Sequence, residues 1–239
     1  MSASKIISHR GACGSAPENT LASMRKAKAL GAEWVEFDTM LSADGHVVVI
    51  HDETLKRTTG AAGKVADMDL ADLQTLDAGS WFDEAFAGEK IPTLIEVIGL
   101  LGELGLGAVV EIKPSQGLDE ETAAKTVEIV KECWPTSLPT PILSSFSDIS
   151  LAIAQHHAPE LPRALNINKK IEAGINKANT LECVALHCQH PAIDSASARK
   201  VLDAEIDLRC FTVNEVERAN ALFAIGVQGI FSDYPERFL

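Results

Sequence analysis

The stretch WVEFDTMLSADGHVVVIHD, residues 34–52, decides the fold of this chain. Its first half alternates: Val35 and Phe37 take one face of a strand, Glu36 and Asp38 the other. Its second half, 47–51, is another β-rich run. Only LSADGH, residues 41–46, joins the two. Asp-Gly is a strong tight-turn signal, and so short a link cannot hold a crossover helix. The second run therefore folds back antiparallel on the first. A turn centred near Ala43-Asp44 brings His51 opposite Glu36–Phe37.

Outward from this hairpin, β-rich runs recur at 5–9, 34–40, 47–51, 108–113, 141–144, 163–167, 183–187, 206–213 and 229–232. Helical patterns lie between most of them, at 20–30, 120–133, 148–156, 194–203 and 215–225. Alternating strand and helix predicts a parallel α/β architecture. With the hairpin return set aside, eight strands remain at roughly 30 residues per unit, the pattern of a closed (β/α)8 barrel. The chain, 1–239, then reads as one domain. Residues 52–92, rich in Asp, Gly and Thr and ending at Pro92, read as a small cap inserted between strand two and its helix.

Composition excludes several classes. An apolar fraction of 46% over 239 residues supports a packed core and excludes disorder. The formal charge of −13 argues against non-specific nucleic-acid binding and against a polybasic membrane anchor. The longest apolar stretch, 94–112, is interrupted by Glu96, Glu103 and Glu111, so it does not read as a membrane span. The opening MSASKIISHR lacks the apolar region of a signal peptide. Five cysteines, at 13, 133, 183, 188 and 210, show no disulfide framework. A reduced cytoplasmic protein without stable membrane association is the expectation.

In such barrels functional residues stand at the C-terminal ends of strands. Here those ends carry His9 and Arg10, then Glu36 and Asp38, then His51, then Glu111 and Lys113. Three carboxylates converging without thiols point to one hard divalent cation, Mg²⁺ or Ca²⁺. Two histidines suit a general acid and a general base. Arg10 and Lys113 would hold an anion such as phosphate. Glu-x-Asp alone is often a solvated strand face and Glu-x-Lys a surface ion pair. Their coincidence at one rim is what points to phosphoester cleavage.

Other groupings carry less. Cys183, His187, Cys188 and His190 lack the spacing of common zinc sites, and alternation sends His187 and Cys188 to opposite faces. His187, at a strand end, can face the mouth and touch substrate. His156-His157 ends a helix, where positive charge is favourable. Trp81 and Phe82 either close over substrate or anchor the cap. Gly11 and Gly14 make no dinucleotide fingerprint.

Taken in order, SHRGACGSAPENT (8–20), EFDTMLSADGHVVVIHDETLKRTT (36–59), DAGSWF (77–82), IPTL (91–94), EIKP (111–114), LSSF (143–146), FTVN (211–214) and GVQGIFSDYP (226–235) resemble the glycerophosphodiester phosphodiesterase family. The likeness is strongest to its small cytoplasmic bacterial members. The resemblance implies a TIM barrel with an insertion after strand two. It also implies metal-dependent hydrolysis of small-molecule glycerophosphodiesters to glycerol 3-phosphate and an alcohol. By resemblance the metal ligands are Glu36, Asp38 and Glu111, and the acid–base pair is His9 and His51. Arg10 and Lys113 would contact phosphate, and Phe211 would wall the glycerol. Glu18 and Asn19, in PENT, would orient the residues around them. Phe211 stands where Trp or Tyr is usual, and Gln228 where Asp is usual. Two further readings are a lysophospholipase D-like enzyme acting on a larger lipid and a non-catalytic barrel that binds glycerol phosphate.

Overall fold

The strands form where the sequence is β-rich: β1 (Ile6–Ser8), β2 (Trp34–Leu41), β3 (Val47–Val49), β4 (Gly107–Ile112), β5 (Ile142–Ser145), β6 (Arg163–Ile167), β7 (Ala185–Gln189), β8 (Asp207–Phe211) and β9 (Gly229–Ser232). The structure, a computed structural model, describes residues 3–239. Its helices are α1 (Leu21–Ala29), α2 (Lys56–Thr59), α3 (Leu70–Leu73), α4 (Leu94–Leu104), α5 (Asp119–Cys133), α6 (Asp148–His157), α7 (Ile171–Thr180), α8 (Ser195–Asp203) and α9 (Val216–Ala224). Among the described residues, no helix is long and apolar enough to cross a membrane.

Eight strands pair in parallel as β1-β9-β8-β7-β6-β5-β4-β2, and Ser8 beside Val35 closes the ring. The fold is therefore a (β/α)8 TIM barrel. The ninth strand, β3, lies antiparallel on the outer end of β2, with Leu41 opposite Val47 and Thr39 opposite Val49. Ile50 N donates to Asp38 O at 3.0 Å, which carries the same register to His51 opposite Phe37. The hairpin thus returns His51 to the mouth.

Side-chain alternation divides the strand residues between two cores. Val35 and Phe37 pack outward with Met24, Ala27, Val97 and Leu101 of the helix layer. Trp34, Ile7, Val109, Ile142, Ala164, Ala185 and Phe231 fill the lower barrel. Glu36, Asp38 and Glu111 stand on the inward face above that filling.

Several helix starts are chemically marked. Thr20 caps α1, accepting from Ser23 N at 3.2 Å. Thr93 and Glu96 form a capping box on α4. The apolar 94–112 stretch splits into α4 and β4 at Gly105, whose φ of 66° ends the helix. Helix α7 lies outside the helical runs named above; it starts without a side-chain cap, so no capping signal marks it. Strand β7 begins two residues later than the 183–187 run. Cys183 and Val184 instead form the turn from α7, bonding to Ala178 O and Arg163 O at 2.8 Å each.

Residues 52–92 carry α2, α3 and two single 3₁₀ turns. They share a core with the hairpin: Met40, Val48 and Ile50 pack with Leu55, Val65, Leu73, Ala78 and Ile91. Leu73 is wholly buried there. Leu73→Ala is expected to cost about 2–5 kcal/mol by leaving a cavity. Urea denaturation checks this.

Candidate active site

Every strand end nearest the hairpin contributes a polar side chain to one cavity of about 430 Å³. His9 and Arg10 follow β1. Arg10 (φ 49°) and Gly11 (φ 76°) turn the chain sharply in the left-handed region. A Cβ on Gly11 would meet Ser23 Oγ at 2.3 Å, so only glycine lets the loop approach α1. The turn places Arg10 N to donate to Glu36 Oε2 at 3.0 Å.

Glu36, Asp38 and Glu111 each present an oxygen within 4.8 Å of the others, and all three are buried. Burial, then the neighbouring carboxylates, push the Glu36 carboxyl well above its ordinary range. Burial and Asp38 push Glu111 up to about 7. Burial also opposes ionisation of Asp38, but Lys113, Arg10, His51 and Asn19 together hold it below the usual value. A pocket of mutually repelling, all-oxygen donors fits a hard divalent cation.

Each carboxylate is oriented. Asn19 Nδ2 donates to Asp38 Oδ2 at 2.8 Å, and Asp38 N donates back to Asn19 Oδ1 at 3.2 Å. Asn166 Nδ2 donates to Glu111 Oε2 at 3.0 Å. Lys113 Nζ lies 3.5 Å from Asp38 and 3.4 Å from Glu111. Burial works against the Lys113 charge, yet these two carboxylates raise its pKa.

The histidines are held alike. His9 Nδ1 is 2.7 Å from Asp233 Oδ1, and His51 Nδ1 is 2.7 Å from Asp52 Oδ1. His9 Nε2 lies 4.0 Å from Glu36, while Lys113 Nζ is 2.7 Å from His51 Nε2. Burial lowers the His51 pKa, with Asp38 opposing. The carboxylate of Asp52 is shared with Arg57 Nε at 2.7 Å. Arg57 makes two bonds of 2.7 Å to Glu18, and Arg10 Nη1 donates to Glu18 at 2.9 Å. A continuous charged chain therefore runs from His51 to Arg10 across the rim, with Arg57 supplied by the inserted segment.

The far wall carries Phe211 and Phe146, stacked edge to face at 5.9 Å, together with Asn166 and His187. His187 Nδ1 is 3.0 Å from Asn166 Oδ1, and burial with Arg209 lowers its pKa to about 3. Cys188 packs outward in the helix-side core, so His187 and Cys188 do not converge. Trp81 and Phe82 do not line the cavity. Trp81 instead lies 5.8 Å from the Arg57 guanidinium and bonds to Ala78 O. Gln228 Oε1 accepts from Leu208 N at 2.7 Å, at the start of β8.

Sequence reading brings His9, Arg10, Glu18, Asn19, Glu36, Asp38, His51, Glu111, Lys113 and Phe211 to this neighbourhood. It assigns no part to Asp233, Asp52, Arg57 or Asn166. Asp52 and Asp233 each stand just past a strand end, which is a usable signal. Asn166 is found by alternation along β6. Arg57 has no local signal that places it at the site, because it is joined to the rim through Glu18, 39 positions away.

The sequence pattern described as the glycerophosphoryl diester phosphodiesterase family matches residues 9–237. A glycerophosphodiester phosphodiesterase of Caldanaerobacter subterraneus is 36% identical over 98% of this chain and 96% of its own. One from Bacillus subtilis is 32% identical over 97% and 84%. A phosphodiesterase of Oleispira antarctica, solved with the product sn-glycerol-3-phosphate, superposes with a TM-score of 0.94 at 40% identity, covering 98% of this chain and 94% of that one. With a matching sequence pattern over nearly its whole length, relatives above 30% identity and the same barrel, this chain belongs to the glycerophosphoryl diester phosphodiesterase family.

Proposed function

We propose that this protein hydrolyses glycerophosphodiesters to glycerol 3-phosphate and an alcohol, using one divalent cation, Mg²⁺ or Ca²⁺. The observation that carries the reading is the meeting in one cavity of three buried carboxylates, two carboxylate-anchored histidines and two cationic side chains. The product-bound relative supports glycerol 3-phosphate as the product class.

Glu36, Asp38 and Glu111 would hold the cation. When bound, it supplies positive charge to the phosphate and to the departing oxygen. Arg10 and Lys113 bind the phosphate anion beside it. Asp52 fixes His51 in the tautomer whose Nε2, 2.7 Å from Lys113 Nζ, carries the lone pair. His51 therefore takes the proton of the attacking hydroxyl, which is either water or the glycerol 2-hydroxyl, whose cyclic phosphate water then opens. Asp233 orients His9, which gives a proton to the leaving alcohol. Phe211 walls the glycerol and keeps water from its carbon face. The 52–92 segment serves as a cap that brings Arg57 to the rim.

Coupled assays for glycerol 3-phosphate and for choline test this, run with glycerophosphocholine and with lysophosphatidylcholine, with and without EDTA. Lysophosphatidylcholine cleaved as by a lysophospholipase D releases choline and lysophosphatidic acid, without glycerol 3-phosphate. Product from glycerophosphocholine, lost in EDTA and restored by Mg²⁺ or Ca²⁺, is the expected outcome. Release from lysophosphatidylcholine alone would replace this reading with a lysophospholipase D. No product from either would leave a binding protein.

A further inference from the structure

On the side of His9 away from the carboxylate triad lies a second cluster of donors. Cys13 Sγ, His9 Nδ1 and Asp233 Oδ1 come from the loop after β1 and the segment after β9. His9 Nδ1 and Cys13 Sγ both point at the same oxygen, Asp233 Oδ1, at 2.7 and 2.9 Å. The sulfur and the ring nitrogen are 3.8 Å apart. The other oxygen of Asp233 accepts from Asn214 Nδ2 at 2.7 Å, which fixes the carboxylate plane. All three residues are only partly buried.

We infer that Cys13, His9 and Asp233 form a site for a thiophilic divalent cation of the Zn²⁺ class, and that its occupation inhibits the enzyme. Tetrahedral zinc with ordinary bond lengths sets its nitrogen and oxygen ligands about 3.3 Å apart and its sulfur and nitrogen ligands about 3.5 Å apart. The cluster reaches that shape by moving each pair a few tenths of an ångström or somewhat more. Its donor set of thiolate, imidazole and carboxylate differs from the all-oxygen triad, and it selects a softer ion.

The charge balance favours exchange. With the imidazole in its neutral form, one carboxylate oxygen gathers two protons, from the thiol and from the imidazole Nδ1, and the ion-free cluster carries one negative charge. From the protonated form that acts as the acid, one further proton leaves on binding. Binding releases the thiol proton to solvent and shifts the imidazole proton from Nδ1 to Nε2. Asp233, the Cys13 thiolate and the dication then sum to zero, which suits a half-buried place. Burial and the facing Asp233 keep the free thiol protonated, so binding tightens as pH rises.

Inhibition follows from the same bookkeeping of protons. A ring coordinated through Nδ1 cannot form the imidazolium, and its remaining Nε2 proton is far less acidic than an imidazolium proton, so it is a poor general acid. That consequence rests on the proposed role of His9; the binding site itself does not.

The test uses Co²⁺ as a spectroscopic stand-in for Zn²⁺, added to the full-length protein with Mg²⁺ in excess. Expected is a near-ultraviolet thiolate-to-cobalt absorption band, lost in Cys13→Ser and kept in Cys133→Ser. In parallel, each protein is titrated with Zn²⁺ and its activity compared with its own zinc-free rate. The half-inhibiting concentration should rise more than about 100-fold in Cys13→Ser, since loss of an outer partner of a metal ligand already costs about 10–100-fold. Cys13→Ala repeats both measurements if the serine variant does not fold. No band in the wild type, or the same band in the Cys13 variants, overturns the site. A Cys13-dependent band in a protein with no phosphodiesterase activity upholds the site and overturns the proposed function instead.

Discussion

Replacing His51 with alanine lowers kcat by about 10²–10⁴-fold while cation affinity and fold stay close to wild type. The size follows from what the residue holds. Asp52 occupies Nδ1, leaving Nε2 as the one ring atom able to take a proton, and that atom faces the cavity beside Lys113. No neighbour can take its place: Lys113 is held charged by Asp38 and Glu111, and His9 sits across the triad against Asp233. The loss stays partial because Arg10, Lys113 and the carboxylates still bind and polarise phosphate. The imidazole is a quarter exposed, so its removal empties no large core volume and should move the melting temperature little. Rates measured with circular dichroism and cation titration on the same samples separate the roles. A His51→Ala enzyme with near-wild-type kcat would remove His51 from the proton path.

Glu111→Gln should weaken divalent-cation binding more than 100-fold, since loss of a mere outer partner of a metal ligand already costs about 10–100-fold. The accompanying stability change distinguishes a ligand from an ordinary buried acid. Without cation, three carboxyls crowd one buried pocket, and burial with Asp38 pushes Glu111 up to about 7. Neutral glutamine relieves that repulsion, so the cation-free variant should melt no lower than the cation-free wild type. With cation at about 100 times its Kd, the wild type gains about 2.7 kcal/mol, or roughly 5–11 °C, and the variant at that concentration gains almost nothing. Calorimetric titration and thermal melts with and without cation check both halves. An unchanged cation titration in Glu111→Gln would remove Glu111 from the ligand set.

The barrel was legible because its evidence is local. Two-residue alternation in 34–38 and 109–113, an Asp-Gly turn and eight strand runs with helical patterns between most of them together leave little choice of topology. The helix α4 was masked by continuous apolar composition, although Thr93-x-x-Glu96 marks its start. The helix α7 has no capping side chain and passed without a signal.

The site divides along the same line. Glu36, Asp38, His51, Glu111 and Lys113 stand at strand ends whose direction is set by pleat and register, and both of these are written in neighbouring residues. The second layer of contacts is not written that way. Asp233 reaches His9 across 224 positions, Arg57 reaches Glu18 across 39, and Asn166 reaches Glu111 across 55. Sequence by itself therefore determined the barrel, the hairpin and the strand ends that carry chemistry, since each follows from short-range geometry. Only the tertiary structure decided which carboxylate anchors which histidine, and that a thiol shares Asp233, because ring closure between β1 and β9 brings the two ends of the chain together.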